Sequence, residues 1–299
     1  MSEWLRTLEG TPAGHELALA LALMAAVLHA LFGALQKGRH DPWLSRAAID
    51  ASYGLIALPF ALFVVPWPEP HMWPIFAGAF VIHAVYKVLQ AMTYTRGAYT
   101  VVYPVVRGTG PLFTFAAAGV VFGETYAPGQ WAGLALLSAG ILGLGVYNAL
   151  HLTEGRASLG PALGFAFVTG ALVAGYTTYD AYGIRATADP FTFLAWFFML
   201  DGIFIPVVTH RRWRSLAVAD MLPLLKRGLL GAFVAYFSFG AIMLATRLDK
   251  VGEAATLRET SAVFAALIGW LVLGEKVGPV RTALMGVIAA GAVLIEAMG

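Results

Sequence analysis

Residues 95–124 read TRGAYTVVYPVVRGTGPLFTFAAAGVVFGE, and residues 246–275 read TRLDKVGEAATLRETSAVFAALIGWLVLGE. At a constant offset of 151, Thr95-Arg96 falls on Thr246-Arg247, Arg107 on Arg258, Thr109 on Thr260, Phe113 on Phe264 and Gly123-Glu124 on Gly274-Glu275. Pro128 with Pro279, and Ala139-Gly140 with Ala290-Gly291, extend the match. Upstream the repeat weakens and its offset becomes 148, pairing Lys37 with Arg185 and Asp41-Pro42 with Asp189-Pro190. A chain built twice, with an arginine inside the same apolar stretch of each copy, reads as a two-fold scaffold around a central polar site. Secondary transporters are commonly built that way.

The composition agrees. The 299 residues are 59% hydrophobic and only 12% charged, which places the chain in the polytopic membrane class. Cysteine is absent, which excludes disulfides and thiolate metal sites. A net charge of +2, with no basic stretch interleaved with exposed aromatics, gives no sign of a nucleic-acid partner. Residues 1–15 carry Glu3, Arg6 and Glu9 rather than a basic n-region, so the first apolar run is expected to be retained.

A membrane-spanning helix needs about 20 apolar residues. Ten such runs fit between short polar breaks: 16–36, 46–66, 73–94, 98–121, 129–149, 160–183, 191–210, 228–246, 251–273 and 282–298. The expected fold is therefore all-α and polytopic, with ten transmembrane helices arranged as two five-helix repeats around a central cavity. The first repeat spans 1–149, the linker 150–159 and the second repeat 160–299. Five helices per copy is an odd number, so the second copy enters from the opposite face and the repeats are inverted. Of the 19 lysines and arginines, twelve fall in loops on one side, four on the other and three within helices. By the positive-inside rule both termini face away from the cytoplasm.

An ionisable side chain near the bilayer midplane costs about 3 kcal/mol unless it faces a partner or a cavity. Lys87, Arg107, Arg258, Asp201, Glu259, His29 and His83 all fall there. Three cations against two carboxylates leave one cation unmatched, which suits a substrate carboxylate or another anionic group. His83, Lys87 and Gln90 share one helical face, with Tyr86 beside them. Tyr99, Tyr103 and Arg107 repeat every four residues. Tyr176, Tyr179 and Asp180 cluster similarly, Asp180 nearer the outer end. Aromatic walls with a few directed polar groups describe a small-molecule site. These residues, with Arg258 and the adjacent Glu259, form the candidate site; Arg258 and Glu259 are expected to face different partners. His29, His83 and Glu259 are candidate proton sites. Gly129, Gly133, Gly140 and Gly143 in one run and Gly286 and Gly291 in another mark two helices expected to pack closely together.

The segment Tyr103-Pro104-Val105-Val106-Arg107-Gly108, running through Pro111 to Gly123-Glu124, resembles the fourth helix of EamA-like permeases in the drug/metabolite transporter superfamily. Leu257-Arg258-Glu259-Thr260-Ser261, running to Gly274-Glu275, resembles their ninth. The resemblance implies export of small metabolites, amino acids foremost, by alternating access in the inner (plasma) membrane. No cofactor is implied, and the partners expected are a small-molecule substrate and the lipid bilayer. With no ATP-binding motif, either a gradient, with protons the candidate ion, drives transport or transport is downhill; a monomer is expected over an obligate dimer. The chain departs from many relatives at His29-Ala30-Leu31-Phe32-Gly33, where they place Trp before the Gly, and at Lys87. HExxH and GxSxG are absent, and Tyr179-Asp180 lacks the partner motif of an intramembrane aspartyl protease, so no enzyme activity is expected.

Overall fold

The computed structural model describes residues 2–36, 41–97, 99–151, 159–271 and 278–299. The breaks at Lys37-Gly38-Arg39, Glu154-Gly155-Arg156 and Gly274-Glu275-Lys276 lie outside them. The described residues form thirteen helical segments and no strand: α1 Ser2–Leu8, α2 Pro12–Gln36, α3 Pro42–Phe63, α4 Met72–Arg96, α5 Tyr99–Phe122, α6 Pro128–Leu150, α7 Leu159–Ala186, α8 Pro190–Asp201, α9 Phe204–Arg214, α10 Val218–Leu248, α11 Val251–Arg258, α12 Ser261–Leu271 and α13 Pro279–Ala297. Nine stretches among the described residues are long and apolar enough to cross a membrane. The protein is an all-α polytopic membrane protein.

Two expected runs differ in detail. The run expected at 191–210 is interrupted at Gly202-Ile203, between α8 and α9. The run expected at 251–273 is interrupted at Glu259-Thr260, between α11 and α12. Both interruptions fall beside midplane charges, Asp201 in one case and Arg258-Glu259 in the other. At Glu259 and Thr260 the backbone N–H groups donate to the carbonyls of Thr256 and Leu257, at 3.0 and 3.1 Å, which tightens the last turn of α11 and ends it.

The helix starts follow from sequence. Proline sits at the first helical position of α3, α6, α8 and α13, where its missing N–H costs nothing. Asp41 and Asp189 cap α3 and α8 by accepting the N–H groups of Trp43 (2.7 Å) and Phe191 (2.8 Å). Gly123 ends α5 at φ +68°, a left-handed backbone conformation that favours glycine.

The chain forms two compact units, Met1–Ala84 with Tyr179–Leu248 and Val85–Thr178 with Asp249–Gly299, so α4 and α7 contribute to both. In the first unit, Ala18, Ala22, Ala25 and Ala26 are all buried along α2, and Ser238 of α10 donates to the Ala25 carbonyl at 3.0 Å. α10 also packs on α3, where Gly228 meets Ala48 and Gly231 meets Ile49. Aromatic rings fill the rest, including Phe76 stacked on Phe193 at 5.4 Å and Trp73 set edge-on to Trp196 at 5.0 Å. Outside the spans, burial alone would raise the Glu69 carboxyl. The Ala188 N–H and the Thr187 hydroxyl, at 3.0 and 3.2 Å, instead hold it below its ordinary range.

In the second unit, α6 packs against α13 through Gly133, Gly140 and Gly291 as expected, whereas Gly286 faces open space. A Cβ on Gly133 would stand 2.8 Å from the Gly291 carbonyl oxygen and 2.9 Å from the Ile295 nitrogen. One on Gly140 would stand 2.7 Å from Ile288 Cγ1 and 3.1 Å from its nitrogen. Glu124, next to the chain-reversing Gly123, accepts the N–H groups of Val251 (2.8 Å) and Gly252 (3.2 Å) at the N-terminus of α11. The Tyr126 hydroxyl donates to the same carboxylate; burial, then this bond, push its phenol well above the ordinary range. Gln130 of α6 reaches Glu253 of α11 at 2.6 Å, and Lys250 pairs with Glu253 at 2.8 Å. The Gly-Glu that closes α5 therefore fixes where α11 begins.

Gly133→Ala should lower stability by about 1–3 kcal/mol, because the clash is with backbone that cannot turn away. Gly286→Ala, where nothing lies within 4 Å of the added Cβ, should be neutral or slightly stabilising. Thermal unfolding of the two purified variants in detergent checks the contrast.

Candidate functional site

Three helices of the second unit position the arginine of the repeat. The Thr93 and Thr169 hydroxyls meet at 2.9 Å and tie α4 to α7. Gly170 lets α7 approach α5 at Val106 and Thr109. These contacts place the Tyr86 and Tyr176 rings at a centroid distance of 4.7 Å, and Gln90 donates to the Tyr86 hydroxyl at 2.6 Å. Tyr103 presents its ring to Arg107, whose Cζ lies 5.3 Å from the centroid. Tyr103, Tyr176 and Tyr86 all act electrostatically on Arg107. The aromatic wall read from the spacing is thus assembled around this guanidinium. Lys87, also expected there, is buried. The Tyr99 side chain lies outside the described residues.

Arg107 is not left unmatched. Its Nη1 donates to both oxygens of Glu259, at 3.1 and 3.3 Å. Arg258 Nη2 donates to the same Oε1 at 3.3 Å. The expectation that Arg258 and Glu259 face different partners is therefore corrected. Glu259, at the end of α11, keeps a helical backbone conformation, and the adjacent Arg258 guanidinium reaches round to the carboxylate that Arg107 also holds. Arg107, Arg258 and Glu259 are 4%, 2% and 1% exposed, so the group is fully removed from solvent. One carboxylate shared by two guanidiniums leaves a net positive centre, with Lys87 a further buried cation in the same unit. Two donors here find no protein acceptor among the described residues, Arg258 Nε and the Ser261 hydroxyl. Ser261 opens α12, at the end of the helix whose dipole favours negative charge.

The first unit holds a second polar group. His83 Nε2 lies 2.9 Å from Asp180 Oδ2, and its Nδ1 lies 3.8 Å from Asp201 Oδ1. Asp180 is buried against this imidazole. The Tyr53 hydroxyl donates to Asp201, and Arg46 pairs with Asp50 one turn earlier on α3 at 2.6 Å. Close packing makes this possible: a Cβ on Gly54 would stand 3.2 Å from Gly202 Cα, so α3 meets the interruption after α8 backbone to backbone. Tyr179 does not join the group. It lays its ring on Gly78 and neighbours Tyr182. His29 packs among Phe32 and Phe239.

Tyr53, Asp50, Arg46 and the Ser261 hydroxyl were absent from the site read from sequence. One signal could have found Tyr53. At the upstream offset of 148, Tyr53 falls on Asp201 and Gly54 on Gly202, and these corresponding residues are the ones in contact.

Residues 160–297 match the model of the EamA-like transporter family. A protein of known crystal structure superposes with a TM-score of 0.75 at 16% sequence identity, covering 96% of this chain and 99% of its own. At that identity the likeness shows the fold alone. No curated protein matches the sequence. The matched stretch, α7 to α13, is a little under half of the chain.

Glu259→Gln should destabilise the protein by about 3–5 kcal/mol, since it leaves two buried guanidiniums without their carboxylate. Glu259→Asp, which keeps the charge, should recover part of that loss. Thermal unfolding in detergent gives both numbers; equal stability of Glu259→Gln and wild type would remove the ion-pair centre.

Proposed function

With residues 160–297 carrying an EamA-like transporter sequence, we propose that the protein is a secondary carrier that exports small metabolites bearing a carboxylate, amino acids foremost, by alternating access. The observation that carries this reading is the net-positive centre of Arg107, Arg258 and Glu259, buried at an interrupted membrane helix with two donors that no acceptor among the described residues uses. A substrate carboxylate meets there what an anion needs: guanidinium forks, a hydroxyl and a helix N-terminus. The substrate carboxylate takes the place of Glu259 on Arg107 rather than adding to an idle cation. Tyr86, Gln90, Tyr103 and Tyr176 supply the wall for the rest of the molecule, Lys87 strengthens the positive field, and Tyr99 belongs to the same reading by spacing.

Interrupted helices support the carrier reading. Irregular backbone at membrane depth is tolerated where it is buried in protein or lines a polar cavity, and transporters place binding sites at such points. Contacts between residues at corresponding places, Tyr53 with Asp201 and Gly54 with Gly202, support two inverted five-helix repeats spanning 1–149 and 160–299. The loop charges support non-cytoplasmic termini in the inner membrane. No motif for ATP binding occurs in the sequence, so an ion or substrate gradient drives the cycle.

Counterflow in proteoliposomes against a panel of labelled amino acids tests the proposal. Wild type should show saturable counterflow with at least one of them. Arg107→Ala should abolish it while the protein remains folded. Arg107→Lys should retain transport with apparent affinity weakened roughly tenfold, because a point charge cannot grip a carboxylate with two parallel bonds. Non-saturating flux without counterflow would mean a pore and contradict the carrier.

A further inference from the structure

We infer that Glu259 is a carboxylate with two seats, and that Arg258 is the positioning residue that receives it when substrate takes Arg107. This rests on the carrier reading above, in which a substrate carboxylate replaces Glu259 on Arg107, and it says where the displaced side chain goes.

Arg258 Nε is buried and has no acceptor among the described residues. A buried donor left unused is costly, and in a native structure it calls for a reason. An arginine carries Nε–H and Nη2–H side by side on one edge, spaced to meet the two oxygens of a carboxylate. On Arg258 that edge is half occupied, since Nη2 donates to Glu259 Oε1 at 3.3 Å while Nε stays unused. Arg107 also engages Glu259 through one nitrogen, its Nη1 lying 3.1 and 3.3 Å from the two oxygens. Charge-assisted bonds between guanidinium and carboxylate usually close to about 2.7–2.9 Å. Glu259 is thus held by both arginines and at full strength by neither, as a side chain between two seats would be.

The repeat accounts for two seats and one carboxylate. Arg107 and Arg258 correspond at the offset of 151, whereas the counterpart of Glu259 is Gly108. A Cβ on Gly108 would stand 2.8 Å from Leu142 Cγ and 3.0 Å from its Cδ2, so a second carboxylate has no room there unless the Leu142 side chain is displaced. Two corresponding guanidiniums therefore share one acceptor. When substrate arrives, its carboxylate fills Arg107, Glu259 turns onto the Nε and Nη2 edge of Arg258, and the unused donor gains its acceptor. Without that receiver Glu259 would be left buried on one 3.3 Å bond, and the cost of stranding it would fall on substrate affinity. Glu259 and Arg258 are neighbours in the chain, so the move needs only side-chain rotation. The Ser261 hydroxyl keeps the role toward substrate given above.

The test is a double-mutant cycle on substrate affinity, using the full-length protein in proteoliposomes and an amino acid that wild type exchanges in counterflow. Arg258→Lys keeps the charge but has no paired edge, so it should raise the half-saturating concentration roughly fivefold or more. In Glu259→Gln there is no carboxylate to receive, and adding Arg258→Lys to that variant should change its half-saturating concentration by less than about twofold. A purely structural arginine would alter melting temperature and leave affinity unchanged in both backgrounds. An arginine that binds substrate directly would weaken affinity equally in both. Either result overturns the inference. Because Glu259→Gln is expected to be destabilised, a second readout keeps Glu259 in place. In wild type whose arginines carry a spin-active nitrogen isotope, the Nε–H proton resonance that Arg258→Lys deletes should move downfield as substrate saturates. A resonance that stays in place overturns the inference. Each of these overturning results leaves the carrier standing. Wild-type counterflow with none of the amino acids tested removes the carrier reading, and the role of Arg258 falls with it.

Discussion

One carboxylate holds two buried arginines, and it does so at a point where a membrane helix stops. Glu259 accepts from Arg107 and Arg258 together. The rest of the second unit is arranged to make that contact. α11 is capped at its start by Glu124 and at once braced by Gln130 and Lys250 through Glu253. Its end turns Glu259 back toward α5. Taking such charges out of water costs several kcal/mol per ion, and the mutual attraction roughly offsets it. The pair is therefore costly to break by deletion yet close to neutral toward exchange. That balance is why the proposed exchange of Glu259 for a substrate carboxylate on Arg107 would carry a small net cost.

The second unit buries Arg107 and Arg258 around Glu259; the first buries Asp180 and Asp201 around His83. Each sits beside an interrupted helix. Each interruption coincides with close backbone contact or tight local hydrogen bonding, at Gly54 and Gly202 in one unit and at Thr256 to Thr260 in the other. Helix ends inside a membrane need such internal satisfaction, because lipid offers none. The small residues that permit it, like those joining α6 to α13, set how near the charged side chains can come.

Much of the architecture was legible because hydropathy and small-residue spacing report directly on lipid exposure and helix contact. Nine of the ten apolar runs have a counterpart among the membrane-spanning stretches, and the Gly133 and Gly291 contact appeared where the glycines placed it. The interruptions were not legible. Averaged over about 20 residues, Glu259-Thr260 and Gly202-Ile203 barely lower the apolar signal. Arg258 and Glu259 were expected to diverge because neighbouring helical residues leave the axis about 100° apart, which takes no account of how far a guanidinium reaches. Counting charges gave three cations against two carboxylates but could not say which carboxylate serves which cation. Tyr53 was missed for a simpler reason: a tyrosine inside an apolar run looks like packing until its partner carboxylate is known.

The most direct test of exchange on Arg107 is the thermal shift that a counterflow substrate gives to Glu259→Gln compared with wild type. If the substrate carboxylate takes the place of Glu259, the variant has lost its internal competitor. Saturating substrate should then raise its melting temperature by more than it raises that of wild type, and half-maximal stabilisation should come at lower substrate concentration. A shift equal to or smaller than that of wild type, at equal or higher concentration, would contradict the account and leave the two arginines as a purely structural ion pair.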